Sequence, residues 1–191
     1  MIAIVLFGKP GAGKGTQAQF LKEKYNLTHI STGDVFRFNL KNDTELGKQA
    51  KVFIDKGELV PDEITINMLA NEVANNMDKA GFLFDGFPRT IKQAEALEEL
   101  LQEKNIKFVA TIGIDADDEV LVSRILERGK TSGRSDDQDE NKIRNRYIEY
   151  NEKTAPLIKY YEEKSKYTAV DGIGAIEEVT ERLSKVIDTL I

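Results

Sequence analysis

Short apolar runs recur along the chain at residues 2–7, 27–31, 82–85, 108–114 and 167–170, and between them apolar residues return every three or four positions. Runs of this length, rich in β-branched and aromatic residues, read as buried strands, and the longer spacing reads as amphipathic helix. Strand and helix in alternation imply crossover units. The expected fold is therefore α/β, a three-layer arrangement with a parallel β-sheet between helices on both faces. Ligands in such sheets sit beyond the carboxyl ends of the strands, so the residues just after each run are the ones to inspect.

The helical stripes are explicit. One is expected from Ile64, Met68, Leu69 and Val73, one from Val120, Leu121 and Ile125, and a last one from Ile176, Val179, Leu183, Val186, Ile187 and Leu190. A longer stripe, Ile143, Tyr147, Tyr150, Thr154, Leu157 and Tyr161, predicts a helix kinked by Pro156, with its Tyr and Ile side chains in the core. Arg146 lies off that stripe and is expected to face the ligand edge. Residues 44–77 read as two helices broken at 57–62, where Pro61 leads into Asp62. The block at about 32–61 carries no strand and is expected to be a small helical insertion over the sheet edge. Residues 129–137 are polar, with a glycine at each end of Gly129 to Gly133, and suit a mobile cover.

The first strand opens into Gly8-Lys9-Pro10-Gly11-Ala12-Gly13-Lys14-Gly15-Thr16-Gln17. Strand, glycine loop and helix is the context a phosphate-binding loop requires: glycines let backbone N–H groups approach the anion, and the helix points its positive end at it. Lys14 adds a full charge. Gly-x4-Gly-Lys alone arises by chance in such a chain with a probability of about 0.05, so the flanking elements carry the inference. Where the general pattern has Ser or Thr directly after the lysine, this chain has Gly15, and the hydroxyl comes at Thr16.

The ends of the other runs offer more chemistry. Ser31 and Thr32 fit a helix N-cap as well as a ligand contact. Asp85 can order the water shell of Mg²⁺ or simply form a turn. Arg89 follows Pro88, which stiffens the backbone that aims it. Net charge is −6 and pI about 5.1, which argues against non-specific nucleic-acid binding, yet five of the eight arginines fall between Arg124 and Arg146. That cluster suits a small polyanion, or else a charged helix face in which Asp136, Asp137, Asp139 and Glu140 interleave. His29, the only histidine, is expected to be packed or at the surface. The chain of 191 residues has no cysteine and no membrane-length apolar run, and is read as one cytoplasmic domain spanning 1–191.

The sequence resembles the adenylate kinases of the nucleoside monophosphate kinase family, in their short-lid form. The resemblance rests on the loop at 8–17, Ser-Thr-Gly-Asp-x-x-Arg at 31–37, Asp-Gly-Phe-Pro-Arg-Thr at 85–90 with Gln93 after it, Arg-Gly through Ser-Gly-Arg-x-Asp-Asp at 128–137, and Asp-Gly at 171–172. It implies a P-loop nucleoside triphosphate hydrolase-like fold, with an NMP-binding insertion at about 32–61 and a short lid at about 128–140. It also implies that Gly11, Ala12, Gly13, Lys14, Gly15 and Thr16 bind ATP phosphates, with Arg124, Arg128 and the backbone at Gly174 on the same nucleotide. AMP would meet Thr32, Arg37, Glu58, Leu59, Val60, Gly86, Phe87, Pro88, Arg89 and Gln93, together with Arg134 and Arg146. Lys14, Arg89, Arg128, Arg134 and Arg146 would carry the catalysis, with Asp136 and Asp137 as carboxylate neighbours of the arginines.

The implied reaction is reversible, Mg²⁺-dependent transfer of the γ-phosphoryl of ATP to AMP, giving two ADP, with Mg²⁺ held through phosphates and water and through Asp85 and Thr16 indirectly. The attacking phosphate has a second pKa of about 6 and is already ionised at neutral pH, so no general base is required. A closing lid, for which adenylate kinases are themselves the standard example, keeps water from the phosphoryl group. Zinc is not expected in a short lid without cysteine. ATP, AMP and ADP are the expected partners of a monomer, with no nucleic acid or membrane. Two alternatives stay open: a UMP/CMP kinase of the same family, against which the Gln93 amide favours adenine, and a nucleotide-binding switch that hydrolyses ATP slowly.

Overall fold

The computed structural model describes residues 1–134 and 137–191. Each apolar run is a strand: β1 (Ile2–Phe7), β2 (Leu27–Ser31), β3 (Gly81–Asp85), β4 (Lys107–Asp115) and β5 (Tyr167–Asp171). They form one parallel sheet in the order β2-β3-β1-β4-β5. Helix α1 (Lys14–Lys24) follows β1, α2 (Thr32–Lys41), α3 (Glu45–Ile54) and α4 (Asp62–Ala74) follow β2, and α5 (Ile91–Glu103) follows β3. After β4 come α6 (Asp118–Thr131), α7 (Glu140–Glu149) and α8 (Pro156–Glu163), and α9 (Ile176–Asp188) closes the chain.

Alternation along the central strand divides the core in two. Ile4 and Leu6 point to one face, against Leu21 of α1 and Leu183 and Ile187 of α9. Ala3 and Val5 point to the other, against Leu69 and Val73 of α4 and Leu97 and Leu101 of α5. Fully burying each Leu or Ile contributes about 1.5–3 kcal/mol, which is why β1 shows no polar position. A small separate core of Phe36, Ala50, Val60 and Met68 ties α2 and α3 to α4.

The strand order also fixes where a ligand goes. The connection after β1 runs across β3 to β2, whereas the connection after β3 runs across β1 to β4. Two neighbouring strands whose connections leave in opposite directions open a crevice at their carboxyl ends. The loop at 8–13 and the turn at 86–90 border it.

Three expectations are corrected. The kink predicted at Pro156 is taken up just before it, by a π segment at Tyr150–Thr154 in which Ala155 N donates to Tyr150 O at 2.8 Å, five residues back. Proline has no N–H and its ring would meet the carbonyl one turn earlier, so the turn ahead of it widens. Tyr147 and Tyr150 are only partly buried, because that part of the stripe passes over the carboxyl edge of the sheet and not over its face. Leu190 is exposed beyond the end of α9, and Ile176 is exposed in its first turn. No helix among the described residues is long and apolar enough to cross a membrane.

Candidate active site

The loop after β1 is shaped by close approach. Gly8 has φ +142° and a Cβ there would lie 2.6 Å from Ile114 O; Gly11 has φ +88° and its Cβ would lie 2.7 Å from Leu121 O. Any side chain would push the loop off β4 and α6. Helix α1 then starts at Lys14 with no side-chain cap and no acidic residue in its first turn, so its N-terminal N–H groups keep their capacity for an anion. Tyr147 supports the loop from above, its hydroxyl donating to Pro10 O at 3.2 Å.

Lys14 Nζ lies under the loop, donating to Gly8 O at 2.7 Å and Lys9 O at 3.1 Å. Burial pushes its pKa down to about 8; Asp85 opposes the shift, and Arg89, Arg146 and Arg128 add to it. Those three guanidinium groups therefore bear on the same space as the ammonium. A concentration of positive charge that depresses a lysine is also a site that would bind a polyanion strongly. Asp85 sits below, its side chain 12% exposed and 3.8 Å from His29 Nε2, beyond hydrogen-bond length. Burial pushes the Asp85 carboxyl up, but the His29 ring, Lys14 and Arg89 outweigh it and hold the group below the ordinary carboxylate range. His29 is thus packed, and against a site residue that nothing in its sequence neighbourhood indicates.

Beside the loop opens a cavity of about 1120 Å³, counting the part open to solvent. Lys14, Arg89 and Arg146 stand on its wall, as do Thr32, Arg37 and Gln93. Glu58, Leu59 and Val60 line it from the segment between α3 and α4, and Gly86, Phe87 and Pro88 from the end of β3. The Phe87–Pro88 peptide is cis. Ser31 is the N-cap of α2, accepting from Asp34 N at 3.3 Å, which leaves the Thr32 hydroxyl to donate to Gly86 O at 2.8 Å. Arg89 Nε donates to the same Gly86 oxygen at 2.7 Å, and Thr154 donates to Arg89 O at 2.9 Å, so the arginine is held at both ends.

Two arginines, Arg128 and Arg146, converge on Asp137, whose side chain is wholly buried. Arg128 donates to it through Nε at 2.7 Å and Nη2 at 2.9 Å, and Arg146 through Nη1 at 2.8 Å. Burial pushes the Asp137 carboxyl up, and the two guanidinium groups more than reverse this. Arg134 lies 3.6 Å from Asp34, which also holds Arg37 at 2.5 Å. Asp136 lies outside the described residues. Arg124 stands apart from the cavity, donating to Gly172 O at 3.2 Å beside the β5–α9 turn that contains Gly174. Gly11, Ala12, Gly13, Gly15 and Thr16 also lie outside the cavity wall, on the loop and the first turn of α1.

Asp34, Glu149 and Asp62 are site partners that the sequence reading did not assign. Asp34 stands within the 31–37 motif, three residues before the arginine it pairs with, and could have been found there. Glu149, which accepts from Leu59 N at 3.3 Å, and Asp62, which accepts from Gln93 Nε2 at 2.7 Å, have no local signal because their partners lie far along the chain.

The adenylate kinase family model matches residues 6–166. The chain is similar to the adenylate kinase of Flavobacterium johnsoniae, 71% identical over 190 residues and the full length of both chains, and to that of Flavobacterium psychrophilum, 69% identical over the same extent. It is 47% identical over 190 residues, again full length, to the adenylate kinase of Bacteroides fragilis. A phosphate loop at the switch point, a cationic cavity beside it and full-length identity of this order lead to one conclusion: the chain belongs to the adenylate kinase family.

Proposed function

We infer that this chain catalyses the reversible transfer of the γ-phosphoryl group of ATP to AMP, giving two ADP. The observation that carries the assignment is that Lys14, Arg89 and Arg146 line the same cavity as Gln93, so anion-binding and base-reading groups share one chamber. In this reading ATP lays its phosphates along Gly11 to Thr16, with its base between Arg124 and the backbone at Gly174. AMP occupies the cavity, its phosphate toward Arg37 and Arg89 and its base toward Val60 and Gln93. The insertion at about 32–61 covers AMP, and the lid at about 128–140 brings Arg128 and Arg134, with Arg146 beyond it, to the phosphoryl group in transit.

Catalysis then consists of positioning and of spreading charge. An AMP phosphate oxygen, ionised at neutral pH, attacks the γ-phosphorus in line, the bond to the β-phosphate oxygen breaks, and ADP leaves on the loop. Lys14 and the arginines neutralise the charge spread over the transferring group. Asp137 holds Arg128 and Arg146 in register, so little reorganisation is needed when the phosphoryl group arrives.

The donors near the loop fit Mg²⁺, which prefers hard oxygens and keeps several waters. Asp85 is held ionised, and Thr16 stands in the first turn of α1. Among the described residues no cluster of three or more His, Cys, Asp or Glu forms a metal cage, so phosphate oxygens and water would supply most of the ligands. When bound, the ion adds electrostatic stabilisation of the phosphates and orients them.

A coupled assay tests the reading. ATP plus AMP should yield two ADP rapidly, and a rate indifferent to AMP would instead indicate a switch that hydrolyses ATP. Gln93→Ala should relax the preference for AMP over CMP while leaving ATP binding intact; an unchanged preference would remove Gln93 as the reader.

A further inference from the structure

Gln93 is 1% exposed, and half of its hydrogen-bonding capacity is committed. Its Oε1 accepts from the Arg89 N–H at 2.8 Å, and its Nε2 donates to Asp62 Oδ1 at 2.7 Å. The same Asp62 oxygen accepts from the Thr90 hydroxyl at 3.0 Å, and Thr90 Oγ1 accepts from Gln93 N at 3.2 Å as the N-cap of α5. A primary amide has two donor hydrogens and two acceptor lone pairs. One of each therefore remains for a ligand, in a fixed left-to-right order.

We propose that Asp62 is a positioning residue for base choice: by holding Nε2 it prevents the half-turn of the Gln93 amide that would exchange donor and acceptor. The inference rests on the reading above that Gln93 meets the AMP base. Adenine presents an amino donor beside a ring-nitrogen acceptor, whereas hypoxanthine and guanine present a carbonyl acceptor beside a ring N–H donor. The amide in its present sense matches the first pattern, and the flipped amide matches the second equally well. In the intact site a flip sets Gln93 Oε1 against the Asp62 carboxylate and Gln93 NH₂ against the Arg89 N–H. Both contacts are repulsive, and the Gln93 amide, 1% exposed, has little water to compensate it. Without Asp62 only the second penalty remains, and the preference between the two base edges weakens.

Asp62 is also the first residue of α4, where a carboxylate suits the positive end of the helix. That role concerns stability alone and does not distinguish one base from another. It is also the exit of the chain that lines the cavity at 58–60, so one side chain ties the insertion to the turn bearing Arg89.

The test is kcat/KM for AMP and for IMP at saturating ATP, with thermal melts, for the wild type and for Asp62→Ala, Asp62→Ser, Asp62→Asn and Gln93→Ala. IMP carries the reversed edge without the bulk of the guanine amino group. Asp62→Ala and Asp62→Ser, whose hydroxyl is one bond too short to reach Nε2, are expected to lower the AMP:IMP ratio roughly tenfold, within the range of a bidentate base contact. The KM for ATP should not move. Asp62→Asn, which keeps an acceptor oxygen for both bonds, should restore most of the ratio. In a Gln93→Ala background the change Asp62→Ala should have no further effect on it. If Gln93→Ala lowers the ratio but both short variants of Asp62 retain it, the proposal fails and the reading of Gln93 survives. If Gln93→Ala itself retains the ratio, both fail. Equal losses on AMP and IMP with a lowered melting temperature would overturn the proposal in favour of the helix-start role.

Discussion

Asp137→Asn isolates the bridge between two arginines of the site. The wild-type carboxylate is fully buried and accepts three charge-assisted hydrogen bonds, two from Arg128 and one from Arg146. Asparagine keeps the shape and one acceptor oxygen but turns an amide NH₂ toward a guanidinium. Bonds to charged groups contribute about 1.5–3 kcal/mol each. Arg128 is 35% exposed and Arg146 20%, so water recovers part of the loss, and a net cost of about 2–3 kcal/mol is expected. For a chain of this size that lowers Tm by roughly 4–12 °C. The pH dependence supplies a second check. The folded-state pKa of Asp137 is depressed, so its contribution is complete above the unfolded value and is lost as pH falls through the folded one. Urea or calorimetric unfolding should therefore show a wild-type advantage that is flat between about pH 5 and 8 and closes only below about pH 4. Equal stability at pH 7.5, or a gap that is undiminished in acid, would refute the argument.

Lys14→Met should cost roughly 10²–10³ in kcat, as removal of a transition-state charge partner does, with no loss of thermal stability. Because Lys14 titrates near 8 when free and polyphosphate raises that value, ATP binding at pH 8.5 should take up a fraction of a proton. Calorimetry in buffers of different ionisation enthalpy reads it, and uptake that persists in Lys14→Met would dissociate it from this lysine. Gly81→Ala should destabilise the fold by about 3 kcal/mol or more, because a Cβ there overlaps the Ile2 carbonyl of the central strand, which cannot move aside. A chemical denaturation midpoint within error of wild type would contradict that packing.

Local pattern determined a great deal here. The apolar runs predicted all five strands: β1 and β3, buried on both faces, must be apolar almost throughout, and that requirement is written in consecutive residues, while the edge strands β2 and β5 keep shorter apolar stretches between polar positions. The glycine loop was legible for the same reason: its close approaches are made by residues 8 and 11 of one short segment. What only the tertiary structure decided is which polar groups meet. Gln93 and Asp62 are 31 residues apart, and Leu59 and Glu149 are 90 apart. Tyr147 and Tyr150 have core periodicity, yet they support the loop and line the cavity because of what lies beneath their part of the helix. Periodicity reports which side of an element is covered. It carries no record of what covers it, because the partner is set by the order of strands in the sheet and by where each connection crosses it.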